Sequence, residues 1–379
     1  MIEPSRLFEE LANAGVTYYA GVPDSLLKFF CAYVSDNVAP ENHVITANEG
    51  ASVGLAIGYH LATGDVPLVY MQNSGLGNTI NPLMSLADSD VYSIPMVLMI
   101  GWRGEPDTKD EPQHVKQGKV TLTTLDAMGI PYEILDGEEE SDLGKVSRAV
   151  DSTKQNSSPV ALVVKKGSFA SYKLKNDKDL DLKHKREDAI KIVADCLSDD
   201  HVVVSTTGMA SRELFEYRKE KGQDHSRDFL TVGGMGHANQ IAMGIAAQKG
   251  DREVVCIDGD GAILMHMGSL AICGQSGLKN FTHIVVNNAA HDSVGGQPTV
   301  ANEIDLTAVA RACGYTFAKS CDDLSEFKEL LKESLEEPGV NLLEVKVGKG
   351  NRADLGRPTT TPKENKNSFM SNLENWSCK

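Results

Sequence analysis

Several protein classes are excluded by what this chain does not contain. Its apolar runs fall short of the roughly 18 residues that a membrane-spanning helix needs. It has no run of basic residues apart from a mixed-sign stretch near 173–188, and 37 Lys+Arg against 53 Asp+Glu leave a net charge of −16. A surface that negative repels nucleic acid and anionic lipid. The seven cysteines include no CxxC pair and no histidine at zinc-binding spacing. Most sit in apolar runs (VVCID, AICGQ, ARACG), where a free thiol behaves as a small buried hydrophobe. Gly 34 and Pro 14 in 379 residues are ordinary amounts, which excludes a fibrous or disordered chain. The opening MIEPSRLFEELANAG lacks the charged-then-apolar pattern of a secretory leader, so a cytoplasmic location is expected.

What the chain does contain is helix and strand in alternation, twice over. In the first half, Leu7, Phe8 and Leu11 have helical spacing and Gly15 ends that helix. The strand VTYYA, a turn at Gly21-Val22-Pro23 and a helix capped by Asp24 come next. HVITA, PLVYMQ, IPMVLMIG and ALVVKK read as further strands, with EGASVGLAIGYHLATG a helix and Trp102 to about Lys119 a long polar loop. The second half reads HVVVS, DFLTV, REVVCID, THIVV, FAKS and NLLEVKV as strands. Strands this apolar, separated by helices, predict parallel sheets covered on both faces. The fold expected is α/β, with two doubly wound domains at 1–172 and 189–350 and no third central domain. Residues 173–188 lack an apolar face and read as a charged linker, and 351–379 as a frayed polar tail.

Ligands of open parallel sheets bind beyond the carboxyl ends of the strands. REVVCI is followed by Asp258-Gly259-Asp260-Gly261, and THIVV runs into Asn287-Asn288. An acid and an amide at the ends of two parallel strands offer hard oxygen donors suited to Mg²⁺ or Ca²⁺. Glycines beside the acid let phosphate oxygens approach backbone N–H groups. The combination outlines a Mg²⁺–diphosphate site. Asn73-Ser74-Gly75-Leu76-Gly77-Asn78, by contrast, lacks the third glycine of a dinucleotide fingerprint, which leaves a dinucleotide-dependent oxidoreductase as the weaker alternative.

GDG followed about 25 residues later by NN resembles the signature of the thiamin diphosphate-dependent decarboxylase family, and the two halves match that family's two domain types. The resemblance implies that Asp260, Asn288 and the carbonyl of Ala290 ligate Mg²⁺, with Asn287 an alternative to Asn288. Gly259, Gly261 and Ala262 then face the diphosphate. Relatives often carry Ser where Ala262 stands, so Thr206 and Thr207 are candidates for the missing hydroxyl contact. Glu49, in Asn48-Glu49-Gly50, occupies the position of the acid that shares a proton with the aminopyrimidine. Met235, beside Gly234, occupies that of the apolar residue under the bend of the cofactor.

GVPDSLL (21–27), NEGAS (48–52), YMQNSGLGNTINPL (70–83), GWRGEP with DEPQH (101–114) and NNAAHDSVGGQPT (287–299) are similar to the phosphonopyruvate decarboxylase subgroup. Sulfopyruvate decarboxylases share many of these motifs but commonly split the halves into two chains. The resemblance implies decarboxylation of 3-phosphonopyruvate to phosphonoacetaldehyde and CO2. An anionic 2-oxo acid needs local cations, and Arg103, Lys109, His114, Lys116 and Lys119 offer them. Asp24, Ser25 and His291 are candidates for proton transfer or substrate binding. The resemblance further implies a homodimer or a dimer of dimers, with active sites at the subunit interface. Small residues of the helix after Glu49 (Gly50, Ala51, Gly54, Ala56, Gly58) are expected to pack there.

Overall fold

The apolar runs become parallel strands in the computed structural model, which describes residues 1–176 and 182–375. The chain divides into two units, Met1–Asp177 with Val294–Gln297, and Lys178–Ser293 with Pro298–Lys379. The first holds β1 (Tyr19–Gly21), β2 (His43–Ile45), β3 (Leu68–Gln72), β4 (Met96–Gly101), β5 (Tyr132–Leu135) and β6 (Pro159–Val164), in the order β2-β1-β3-β4-β6-β5. The second holds β7 (His201–Ser205), β8 (Asp228–Leu230), β9 (Glu253–Gly259), β10 (Asn280–Asn287), β11 (Phe317–Cys321) and β12 (Gly339–Lys346), in the order β11-β12-β10-β9-β7-β8. Every strand pair in both sheets is parallel. Taken from its other edge, the second sheet repeats the strand order of the first.

Side chains alternate across a strand, so a strand covered on both faces must be apolar at every position. In β4, Val97 and Met99 enter one core while Met96, Leu98 and Ile100 enter the other. In β9, Val255 and Ile257 face one core and Val254 and Cys256 the other. All six described cysteines are free, and four of them are buried, as expected of small hydrophobes; Cys378 lies outside the described residues. No described helix is long and apolar enough to cross a membrane.

Four sequence expectations need correction. YEIL forms β5, a half-buried edge strand whose single deeply buried residue gave no apolar run. The second half of the loop from Trp102 to Lys119 is the start of a helix, Pro112–Ala127. That helix buries His114, Gly118, Thr121 and Leu125, so its inward stripe is small and polar rather than apolar. The charged stretch 173–188 ends inside the helix Arg186–Cys196, and Arg186 itself is buried; its residues 177–181 lie outside the described residues. The described part of the tail is ordered, because Pro362–Glu374 is a helix started by a Thr361/Glu364 capping box and anchored by buried Phe369; residues 376–379 lie outside the described residues.

Candidate active site

The strand order reverses direction between β1 and β3 in the first sheet and between β7 and β9 in the second. Such a switch point is the usual ligand crevice of a doubly wound sheet.

In the first unit, Asp24 lies just past β1 and Gln72 ends β3, and Gln72 Nε2 donates to Asp24 Oδ1 (2.7 Å). The other oxygen of Asp24 caps the next turn, accepting from the N–H groups of Leu26 (2.9 Å) and Leu27 (3.3 Å). Asp24 is fully buried, and burial raises its pKa against these hydrogen bonds. Arg103, just past β4, donates through Nη1 to Ser25 Oγ (2.8 Å). Its Nε and Nη2 both bond Asp110 (2.8 and 2.5 Å), so its charge is already matched. Burial works against the Asp110 charge, but Arg103 and the N–H groups of Glu111 and Gly104 outweigh it and hold that carboxyl well below the usual range. His114 is buried nearby in sequence, and burial followed by the Arg103 charge lowers its pKa, so the ring is neutral near pH 7. Lys109, Lys116 and Lys119 are exposed.

Glu49 opens the helix Glu49–Thr63, whose N-cap Asn48 accepts from the N–H of Ala51 (2.9 Å). Its side chain is only 5% exposed and accepts from Asn78 Nδ2 (2.7 Å) through Oε2. Gly75 lies against Oε1 so closely that any Cβ there would overlap the carboxylate. A Cβ on Gly50 would crowd the Asn78 carbonyl, so this end of the helix needs its glycine for close packing. Gly54 and Gly58 are exposed, and a Cβ added to either would meet no atom within 4 Å.

In the second unit, the N–H of Thr206 donates across the switch point to the Ile257 carbonyl (2.8 Å), which places Thr206 and Thr207 beside Gly259 and Asp260. Asp260 is buried and accepts from Thr299 Oγ1. Burial pushes its pKa up to about 6, against Thr299 and the N–H groups of Gly261 and Asn288. All these donors are neutral. Asn288 donates through Nδ2 to Asp292 Oδ2 (3.4 Å), and its Oδ1 accepts from the N–H of Ala290 (3.2 Å). Asn287 is spent on the sheet, donating to Glu344 Oε1 (2.7 Å) and Asn302 Oδ1 (3.1 Å). Ala289 between Asn288 and Ala290 has φ 51°, a left-handed turn that costs about 1–3 kcal/mol away from glycine. A Cβ on Gly261 would lie 3.2 Å from the His291 ring, and burial lowers the His291 pKa to about 4. Ala262 is buried, Met235 is half-buried, and Gly234 takes a left-handed φ of 67° in the loop after β8.

The donor set suits Mg²⁺. It is hard oxygen throughout, and a buried carboxylate without a paired side-chain cation is the group a bound dication neutralises. A separate group, Cys256, Asp258 and His283, brings ligand-type atoms within 4.8 Å of one another. There Asp258 is committed to His283 Nε2 (3.3 Å) and the N–H of Gly259 (3.1 Å), which braces the strand end behind Asp260.

The structure thus gathers Asp24, Ser25 and Arg103 at one crevice and Thr206, Asp260, Asn288 and His291 at the other, with Glu49 at a helix start. Gln72, Asn78, Asp110, Asp292 and Thr299 were given no role in the sequence reading, although the quoted motifs contain all five. Arg186 looked like solvated surface.

Residues 5–128 match the thiamine pyrophosphate enzyme N-terminal TPP-binding domain, and residues 206–345 match the C-terminal TPP-binding domain. A phosphonopyruvate decarboxylase of Streptomyces viridochromogenes is 34% identical, over 96% of this chain and 93% of its own. One from Streptomyces hygroscopicus is 33% identical, over 96% and 92%. A sulfopyruvate decarboxylase of Methanosarcina acetivorans is 29% identical, over 82% of each chain. With both TPP-binding domains matched and relatives aligned nearly end to end, the chain belongs to the thiamin diphosphate-dependent decarboxylase family.

Proposed function

We propose that the chain decarboxylates 3-phosphonopyruvate to phosphonoacetaldehyde and CO2, using thiamin diphosphate and Mg²⁺. The observation that carries the cofactor reading is Asp260, a buried carboxylate with only neutral donors, beside the Asn288 amide. The substrate reading is supported by the two Streptomyces relatives, whose similarity runs the length of the chain. Asp260, Asn288 and the Ala290 carbonyl would hold Mg²⁺, with Thr206, Thr207 and the Gly259–Ala262 turn around the diphosphate and Gly234 and Met235 beside the ring system.

Thiamin diphosphate supplies, when bound, an electron sink that makes loss of CO2 from a 2-oxo acid feasible. Glu49 would hold a proton at the aminopyrimidine end, its carboxyl oriented by Asn78. Asp24, its pKa raised by burial, retains a proton more readily than a surface carboxyl and can return it to the carbon that loses CO2. His291, neutral at pH 7, can accept or pass a proton but brings no charge to the substrate. Arg103 holds Ser25 in place while paired to Asp110. The anionic tail would therefore draw its countercharge from exposed Lys109 and Lys116, with Arg103, Ser25 and the neutral His114 ring offering hydrogen bonds. Similarity to a sulfopyruvate decarboxylase over 82% of each chain supports the sulfonate analogue as second reading.

The finer assembly reading is a homodimer or dimer of dimers, with the Glu49 half of each site supplied by one subunit and the Asp260 half by its neighbour. It is supported by the helix Glu49–Thr63, which exposes Leu55 (41%) and Leu61 (71%) beside Gly54 and Gly58. The test of function is cofactor-dependent CO2 release from phosphonopyruvate. Failure to release CO2 with both thiamin diphosphate and Mg²⁺ present would reject the reading.

A further inference from the structure

Arg186 sits in the sequence stretch that looks most like solvated surface, yet it is 8% exposed. It opens the helix Arg186–Cys196. Its Nε and Nη2 donate to the two oxygens of Glu213, each at 2.9 Å. Glu213 is itself 1% exposed and lies on the helix Met209–Glu220, which begins directly after the Thr206-Thr207 loop. The remaining arm of the guanidinium, Nη1, reaches Asp292 Oδ2 (3.1 Å).

Asp292 stands four residues past Asn288, and that one oxygen collects three donors. They are Arg186 Nη1, the N–H of Gly350 (3.0 Å) and Asn288 Nδ2 (3.4 Å). An asparagine side chain has two ends of nearly equal shape and opposite use. The oxygen can ligate a cation, and the NH2 repels it. A carboxylate that accepts from Nδ2, together with the Ala290 N–H that donates to Oδ1, fixes which end of the amide faces which way. One buried cation with one buried and one partly buried anion is also a net negative set, and buried Asp260 adds a further carboxylate to the same loop cluster. A guanidinium forked onto one carboxylate and tied to a second gives this arrangement a fixed geometry.

We propose that Asp292, clamped by Arg186 and Glu213, is the positioning residue that presents the Asn288 amide oxygen to the cation beside Asp260. The tightness and selectivity of divalent binding are then set by an ion network outside the GDG and NN motifs. This rests on the Mg²⁺–thiamin diphosphate reading of the Asp260 site. Partners that orient metal ligands characteristically change metal affinity by about 10- to 100-fold when removed. Because Mg²⁺ tolerates little departure from octahedral geometry while Ca²⁺ accepts irregular oxygen shells, a misdirected amide should hurt Mg²⁺ more.

The test uses the full chain purified free of metal and cofactor. Titration calorimetry at saturating thiamin diphosphate gives the affinities for Mg²⁺ and Ca²⁺, and thermal unfolding of the cofactor-free chain reports the fold. Asp292→Asn should weaken Mg²⁺ binding about 10- to 100-fold, and Ca²⁺ binding by a clearly smaller factor. The cofactor-free unfolding temperature should stay near that of the parent. Arg186→Met should shift the Mg²⁺/Ca²⁺ ratio the same way, and the double variant should be no worse than the more damaged single one, because both act through one chain of contacts. Asp292→Glu, which keeps the charge, should recover most of the affinity. If Asp292→Asn does not fold, Asp292→Ala carries the same comparison. Parental Mg²⁺ affinity in the variant, or equal losses for both cations together with a lowered unfolding temperature, would overturn the positioning role. A parent chain showing no divalent-dependent cofactor binding would instead reject the cofactor reading, and this inference with it.

Discussion

At the scale of the residue, each half-site depends on a buried carboxylate whose surroundings set its use. Asp260 has burial against it and neutral donors around it, a setting in which a bound cation would stabilise its charge. Asp260→Ala should abolish Mg²⁺-dependent cofactor binding, a loss measurable by calorimetry as well as by activity. Binding equal to the parent at the same Mg²⁺ would remove Asp260 from the site. Glu49 is buried and bonded to Asn78, so Glu49→Gln keeps the shape and the Asn78 contact partner while removing the shared proton. Its turnover should fall by about 10²–10⁴, with thiamin diphosphate still bound. Asn78→Ala should lower kcat by less, since it only frees the carboxyl to turn. Of these residues, Glu49, Asp260 and Asn288 were legible because strand-end position and motif spacing are local properties of the sequence. Asn78, Asp292 and Arg186 were not, because their role lies in partners 29, 4 and 27 or 106 positions away, and no spacing pattern encodes such contacts.

At the scale of the element, the apolar strands were legible and the amphipathic edges were not. β4 and β9 are apolar at nearly every position because both faces are covered, whereas YEIL at the sheet edge and the inward Gly and Thr of Pro112–Ala127 have no such signature. The C-terminal helix was hidden for a related reason. Beside buried Phe369, it docks through Asn365, which donates to the Asp228 carbonyl (2.7 Å) and accepts from the N–H of Leu230 (3.1 Å), closing the free edge of β8. Asn365→Ala leaves both groups unpaired and should cost about 1–3 kcal/mol in chemical denaturation. No change would mean that water or the helix backbone replaces them. β9 offers a pH test. Burial pushes the Glu253 pKa up to about 7, against a hydrogen bond from Thr282. The folded state therefore binds more protons than the unfolded one between about pH 4.5 and 7, and stability falls as pH rises through that window. Glu253→Gln should raise the unfolding temperature at pH 8, and the gain should vanish near pH 4. A gain that persists at pH 4 would assign the effect to packing instead.

At the scale of the whole molecule, two sheets of identical strand order each have a switch-point crevice where the proposed chemistry would fall, one with the acid–amide pair of Asp24 and Gln72 and one with Asp260 and Asn288. The exposed apolar face of Glu49–Thr63 predicts association. Sedimentation should give at least twice the 40.9 kDa of one chain, and Leu61→Glu should shift it toward the monomer. A monomeric parent would contradict the assembly. The claim on which everything else depends is the reaction. The most direct measurement is steady-state CO2 release from phosphonopyruvate, sulfopyruvate and pyruvate side by side, with and without thiamin diphosphate and Mg²⁺. Turnover is expected only with both cofactors, with the highest kcat/KM for phosphonopyruvate. Faster turnover of pyruvate or sulfopyruvate, or turnover independent of the cofactors, would contradict it.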